Sequence, residues 1–261
     1  MIEGRALVTG ASNRLGRAMA LRLAEMGFDV AVHYGSSSDA AERVVGEITA
    51  MGRKACAVQA DLLDLDAAEG LIDAAASGLG GPLSVLVNNA SIFEHDTIET
   101  ATRDSWDRHM RSNLQGPFIL IQRFAAQAPK AGTDANGEPI ARAAVVNMAD
   151  QRVRKLTPEF MTYTLAKMGL WTLTRTAAQA LAPDIRVNAI GPGPTMQGGR
   201  QSAEHFAAQR AATISGRGSN PEDIAGALGY ILRAPALTGQ LLCIDAGQHL
   251  GWETPDVLGV E

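Results

Sequence analysis

Short, uniformly apolar runs alternate along the chain with segments whose apolar residues recur every three or four positions. The runs fall at residues 6–9, 28–33, 55–59, 83–87, 143–148, 185–190 and 241–245. They lack the apolar–polar alternation of a half-solvated strand, which is the pattern of strands covered on both faces. Leu15, Met19, Leu23 and Met26 follow the first run at helical spacing, and helices are predicted over 40–51, 64–76, 106–127, 158–181 and 221–232. Asn220 stands as the cap of the last of these, with Pro221 in its first turn. Regular alternation of strand and helix predicts an α/β fold, a doubly wound parallel sheet of about seven strands with helices on both faces. No linker or internal repeat divides the pattern, so 1–261 reads as one domain. Residues 129–142, rich in Gly, Pro, Asp and Asn, read as a surface insertion, and 191–201 as a second loop.

Composition narrows the function classes. With 46% hydrophobic and 20% charged residues the chain builds a sizeable core. A formal charge of −5 lacks the basic footprint of a nucleic-acid binder. The longest uncharged stretch, 74–93, is broken by glycines, a proline and two asparagines, so no membrane span is expected. No targeting segment is read at the start, and the expected location is cytoplasmic. Cys56 and Cys243 are far apart in apolar runs, and the five histidines show no metal spacing, so neither a disulfide nor a metal site is expected.

The first chemistry-bearing stretch is Thr9-Gly10-Ala11-Ser12-Asn13-Arg14-Leu15-Gly16, between the first strand and the first helix. Glycines there allow a tight turn and let a pyrophosphate approach the positive end of the helix. A carboxylate for a ribose 2′-hydroxyl belongs at the end of the second strand, but the sequence reads His33-Tyr34-Gly35-Ser36-Ser37. With Arg14 offering a planar guanidinium to a phosphate, NADPH is favoured over NADH. Further along, Tyr163 and Lys167 stand at i and i+4 on one helix face. A neighbouring ammonium is expected to lower the phenol pKa and make Tyr163 a usable proton donor.

The ordered set Thr9-Gly10…Gly16, Asp61, Asn88-Asn89-Ala90, Asn113, Tyr163-x-x-x-Lys167 and Gly191-Pro192-Gly193 resembles the short-chain dehydrogenase/reductase family through essentially the whole chain. The resemblance implies a single Rossmann domain, hydride transfer with NAD(P)H and a homotetramer. It implies Tyr163 as acid, Lys167 on the nicotinamide ribose, Asn113 positioning a water toward Lys167, and Asp61 with Leu62 at the adenine. Gly10, Ser12, Arg14, Leu15, Gly16, His33, Tyr34, Ser36, Ser37, Asn89, Ala90, Ser91 and Gly193 complete the expected cofactor contacts.

Three departures sharpen the resemblance. The serine usual thirteen residues before the tyrosine is Asp150, the middle turn glycine is Arg14, and Ser91 replaces a glycine two residues before Phe93. This trio is similar to the pteridine reductase branch, which implies Phe93 and Ser91 at the substrate, Asp150 in proton delivery to a ring nitrogen, and Arg14 with the serines on the cofactor 2′-phosphate. The chemistry agrees: reducing a C=N bond needs a proton at nitrogen, which a carboxylate can relay, whereas a hydroxyl suits a carbonyl oxygen. An aromatic face suits a flat heterocycle. The expected partner is therefore a small pterin-like substrate. Two alternatives stand beside it: a carbonyl or alcohol dehydrogenase in which Asp150 merely replaces serine, and a non-catalytic NADP(H) sensor. Arg152, Arg154 and Lys155 read as a solvated cluster or an attractor of an anionic substrate tail. Residues 193–215 are expected to shape the pocket as a loop, and the tail 249–261, carrying Trp252, to pack on its own subunit or reach a neighbour.

Overall fold

The computed structural model describes residues 2–199, 201–254 and 257. Among these described residues, nine strands and eight α-helices follow in the order β1 Arg5–Val8, α1 Arg14–Glu25, β2 Asp29–Tyr34, α2 Ser38–Ala50, β3 Ala55–Gln59, α3 Leu65–Leu79, β4 Val85–Asn88, α4 Arg103–Met110, α5 Gly116–Gln127, β5 Gly132–Thr133, β6 Pro139–Ile140, β7 Ala143–Met148, α6 Met161–Leu181, β8 Ile185–Pro192, α7 Ala203–Ala211, α8 Pro221–Arg233 and β9 Leu241–Ile244. Seven strands form one sheet in the order β3-β2-β1-β4-β7-β8-β9, every pair parallel. This is the doubly wound α/β Rossmann arrangement. One core packs α1, α2 and α8 against one face, around Met19, Leu23, Ile48, Leu228 and Ile231. The other packs α3, α5 and α6 against the opposite face, around Leu71, Leu120, Phe124 and Ala177.

The strand order runs outward from β1 in one direction and from β4 in the other, so the chain ends leaving β1 and β4 diverge. That divergence opens a crevice at the carboxyl edge of the sheet, where ligands of such folds sit. Among the described residues no helix is long and apolar enough to cross a membrane.

Three expectations change. The helix expected over 106–127 is two helices, α4 and α5, joined by a π-helical turn at Arg111–Gln115. Its start is set by a capping box between Thr102 and Ser105, three residues earlier than the apolar pattern suggested. The insertion at 129–142 holds a β-hairpin, β5–β6, whose turn is pinned by Asp134 accepting from the backbone N–H groups of Asn136 and Glu138. The pocket loop at 193–215 contains a helix, α7, none of whose residues is buried. Of the tail 249–261, residues 255, 256 and 258–261 lie outside the described residues, and Trp252 is exposed.

Candidate active site

The crevice between the β1 and β4 ends is a cleft of about 550 Å³, lined on one side by Gly10, Leu15 and Gly16 and on the other by Asp150, Tyr163 and Lys167. Its nucleotide end is built from backbone. Gly10 turns at φ +60, and a Cβ on Gly16 would stand 2.1 Å from the Gly10 carbonyl oxygen, so no side chain fits between turn and helix. The α1 cap, Asn13, makes no side-chain capping hydrogen bond, which leaves first-turn N–H groups without a side-chain acceptor. An open glycine cradle with such donors fits a dinucleotide pyrophosphate.

Buried polar groups fix this turn. Thr9 Oγ1 accepts from the N–H groups of Asn89 and Ala90, both at 2.9 Å, and Asn89 Nδ2 donates back to the Thr9 carbonyl at 2.8 Å. On the β2 side, the Gly10 N–H donates to His33 Nδ1 at 3.0 Å, while His33 Nε2 lies 3.1 Å from the Ala60 carbonyl oxygen. Both ring nitrogens are thus engaged, and burial holds the imidazole down to about 4 despite the Ala60 bond. His33, expected from the sequence as a cofactor contact, braces the nucleotide turn through both ring nitrogens.

Arg14 also departs from expectation. It adopts φ +52, a conformation that favours glycine, and its guanidinium donates to the carbonyls of Gln197 at 2.9 Å and Met196 at 3.1 Å. Those residues follow β8, which lies on the opposite side of β1 from β2 in the sheet. The guanidinium therefore spans the cleft toward the α7 segment, away from the β2–α2 loop where a 2′-phosphate belongs. Ser36 and Ser37, at the exposed start of α2, remain at that loop, and Tyr34 packs its ring against the first core. Ser12 is buried and accepts from Asn13 Nδ2. Asp61 accepts from the Leu63 N–H at 2.9 Å, forming the turn that carries buried Leu62. Gly193 lines the cleft, and a Cβ there would stand 2.6 Å from Asp245.

The chemistry-bearing end converges as the sequence spacing implied. Tyr163 Oη donates to Asp150 Oδ2 at 2.8 Å, and Asp150 Oδ1 accepts from the Arg152 N–H at 2.8 Å. Burial raises the Asp150 carboxyl above the usual range, against the pull of the Arg152 N–H, the Tyr163 hydroxyl, and the Arg152 and Lys167 charges. Burial and the Asp150 carboxylate push the Tyr163 phenol well above its ordinary value. This reverses the expected lowering, because burial disfavours the phenolate and the carboxylate sits on the hydroxyl itself, while the Lys167 ammonium lies beside the ring, 5.6 Å from its centroid. Lys167 Nζ donates to the Met148 carbonyl at 2.7 Å, and burial lowers it to about 8, partly offset by Asp150. Asn113, on the π-helical turn, clamps Ile92 by accepting from its N–H at 2.9 Å and donating to its carbonyl at 2.8 Å.

That clamp fixes the segment carrying Ser91 and Phe93, both lining the cleft. Phe93 stacks parallel on Phe160 with centroids 4.4 Å apart and meets Tyr163 edge-on at 4.7 Å. Arg152 lies over the Phe160 ring at 4.6 Å, which makes Arg152 part of the aromatic wall, whereas Arg154 and Lys155 are exposed. Phe160, Met196, Gln201, Phe206 and the brace Thr9 were not singled out individually as site residues by sequence reasoning. Met196, Gln201 and Phe206 were expected only as part of the pocket-shaping segment 193–215, and Thr9 only as the residue directly before the turn glycine.

Over residues 10–249 the chain matches the family model described as enoyl-(acyl carrier protein) reductase. It belongs to the short-chain dehydrogenase/reductase family and is an oxidoreductase of that family. It is 42% identical to a Brucella suis protein, FolM alternative dihydrofolate reductase 1, solved in complex with NADP; the match covers 97% of this chain and 98% of that one, with TM-score 0.89. The Brucella canis counterpart, also complexed with NADP, is 41% identical over 98% of both chains, with TM-score 0.87. A Staphylococcus aureus 3-oxoacyl-acyl-carrier-protein reductase is 33% identical over 94% of this chain and 98% of its own length. NADP is thus the nucleotide bound by both Brucella neighbours, in agreement with the choice of NADPH over NADH, which rested on the missing carboxylate at the β2 end and on Arg14, whose guanidinium points elsewhere.

Proposed function

We propose that this protein is an NADPH-dependent reductase of a pterin-like C=N bond, converting a dihydropterin to a tetrahydropterin. The observation that carries the reading is the Asp150 carboxylate 2.8 Å from the Tyr163 hydroxyl, beside the Phe93 face, where a carbonyl reductase would place a serine. Gly10, Ser12, Leu15, Gly16, Asn89, Ala90 and Gly193 hold the nucleotide, with Ser36 and Ser37 at its 2′-phosphate and Asp61 and Leu62 at its adenine. When bound, NADPH supplies the hydride to the substrate carbon. The protein's own task is the proton. Tyr163 and Asp150 hold one between them, and the pair passes it to the ring nitrogen as the C=N bond is reduced. Lys167 keeps positive charge beneath the phenol and the nicotinamide ribose. Asn113 holds Ile92, and through it Ser91 and Phe93, at the heterocycle. Water relayed past Asn113 and Lys167 returns the consumed proton from solvent.

The names of the sequence relatives favour a second reading, reduction of a 3-oxoacyl thioester, in which Asp150 only fills the serine position. NADPH oxidation measured with dihydrobiopterin, dihydromonapterin and dihydrofolate, set beside a 3-oxoacyl thioester, separates the two. Turnover of a pterin that collapses in Asp150→Ser is the expected result. Turnover of the thioester alone, retained in Asp150→Ser, refutes the pterin reading. A homotetramer belongs to the proposal, supported by Phe118 on α5 and Leu165 on α6, apolar side chains left about half exposed.

A further inference from the structure

The helix that carries Tyr163 starts without a cap of its own. Its N-cap residue, Phe160, sits in the left-handed region (φ 58, ψ 49) and offers no side-chain acceptor. First-turn N–H groups need partners, and here they come from 66 residues upstream. Asp96 accepts the Thr162 N–H through Oδ1 at 3.1 Å, the Thr162 hydroxyl through Oδ2 at 2.5 Å, and the Met161 N–H through its backbone carbonyl at 3.3 Å. Ser105 Oγ donates to the same carboxylate at 3.2 Å, and Asp96 is 3% exposed. A buried carboxylate is costly unless its oxygens are satisfied, and these are.

His109, fully buried, completes the cluster. Its Nε2 accepts from the Glu94 N–H at 3.2 Å, which leaves Nδ1 protonated and donating to Thr162 Oγ1 at 2.7 Å. Donation therefore runs one way, from Glu94 to His109 to Thr162 to Asp96. The imidazole also meets the Tyr163 ring edge-on at 5.9 Å. One end of the cluster holds the residue before Tyr163, and the other holds the residue after Phe93.

We propose that Asp96 and His109 are positioning residues that, through Thr162, set the placement of Tyr163 against Asp150 and of Phe93 beside it. Neither lines the cleft itself, so their action is through the groups they hold, Thr162 and the Tyr163 ring. Release of the first turn of α6 moves the phenol off Asp150, and a displacement of about 1 Å in a reacting group costs on the order of a hundredfold in rate. The inference rests on Tyr163 being the proton donor, whichever substrate is reduced.

The test uses the full-length protein carrying D96A, H109F and, as the conservative variant, D96N. Three quantities are read: kcat and KM for NADPH with dihydrobiopterin, Kd for NADPH by fluorescence, and Tyr163 ionisation by ultraviolet difference spectra against the same background carrying Y163F. D96A and H109F are expected to lower kcat at least about tenfold. Kd for NADPH stays within about threefold, because Thr9, Asn89 and His33 hold the nucleotide turn separately. Tyr163 ionises at lower pH in both, having left the Asp150 carboxylate. D96N keeps an acceptor for the Thr162 N–H and stays closer to wild type in both kcat and titration. If D96A does not fold, H109F decides by the same readings, with D96N as its near-wild-type reference. Wild-type kcat with an unmoved Tyr163 titration overturns the proposal, as does a loss of NADPH affinity as large as the loss of kcat. A wild-type protein inert toward dihydropterins refutes the substrate reading alone, since the Tyr163 titration still decides the role of Asp96 and His109.

Discussion

Replacing Asp150 by Asn keeps the side-chain shape and removes only the charge. The amide oxygen can still accept the Arg152 N–H, but the Tyr163 hydroxyl loses the carboxylate to which it donates at 2.8 Å. A hydrogen bond to a charged group contributes about 1.5–3 kcal/mol, equivalent to about 10–150-fold in rate. Because an amide can no longer hold the transferred proton, some of the roughly 10²–10⁴-fold due to general acid catalysis is lost as well. The expected fall in kcat for a dihydropterin is therefore about 10²–10³-fold, with KM changed by no more than about threefold. The pH profile gives an independent sign. Wild-type kcat should fall as pH rises past about 8, where Lys167 gives up its proton. The Asp150 charge raises Lys167, so in D150N the ammonium titrates lower and the alkaline limb moves toward acid. Steady-state NADPH oxidation across pH 5–10 (a range of about five units around the reference His and Lys values) measures both. A variant retaining half of wild-type kcat, or an alkaline limb that stays in place, refutes the role given to Asp150.

Three further outcomes follow from buried groups. His33 is neutral in the fold, with its pKa lowered from 6.5 to about 4, so the unfolded chain binds more protons between those values. Stability is then full above about pH 6.5 and declines by about 3 kcal/mol as pH falls to 4; urea melts should show this slope in wild type and lose it in His33→Gln. Lys167→Met removes a buried ammonium, so Tm should hold or rise, by the equivalent of about 1–3 kcal/mol, while turnover disappears; a lower Tm contradicts the burial cost assigned to Lys167. Gly16→Ala places a Cβ 2.1 Å from the Gly10 carbonyl oxygen, so Kd for NADPH should weaken at least about a hundredfold, equivalent to roughly 3 kcal/mol, and a calorimetric Kd near wild type would show that the turn yields.

The seven sheet strands were legible because parallel strands buried on both faces leave unbroken apolar runs, as in residues 143–148, which coincide with β7. Tyr163 and Lys167 were legible because i,i+4 spacing on one helix is local information. What failed to show was whatever depends on distance or on a missing signal. The π-helical turn at Arg111–Gln115 shifts the helical register without breaking its apolar character. Helix α7 buries nothing, so it has no apolar stripe to read. The guanidinium direction of Arg14 depends on carbonyls more than 180 residues away, and Asp96, His109 and Thr162 meet only once α4 and α6 pack together. The place of His33 at the strand end was legible, whereas its bridging of two backbone groups is decided by the third dimension.

The most direct measurement of the central claim follows the hydride itself. NADPH deuterated at the transferable position is supplied to the purified protein with a dihydropterin and a 3-oxoacyl thioester together, and the products are weighed by mass spectrometry. Deuterium in the tetrahydropterin, absent when Asp150→Ser or Tyr163→Phe replaces the wild type, is the predicted result. Deuterium in the hydroxyacyl thioester alone, undiminished by Asp150→Ser, contradicts it.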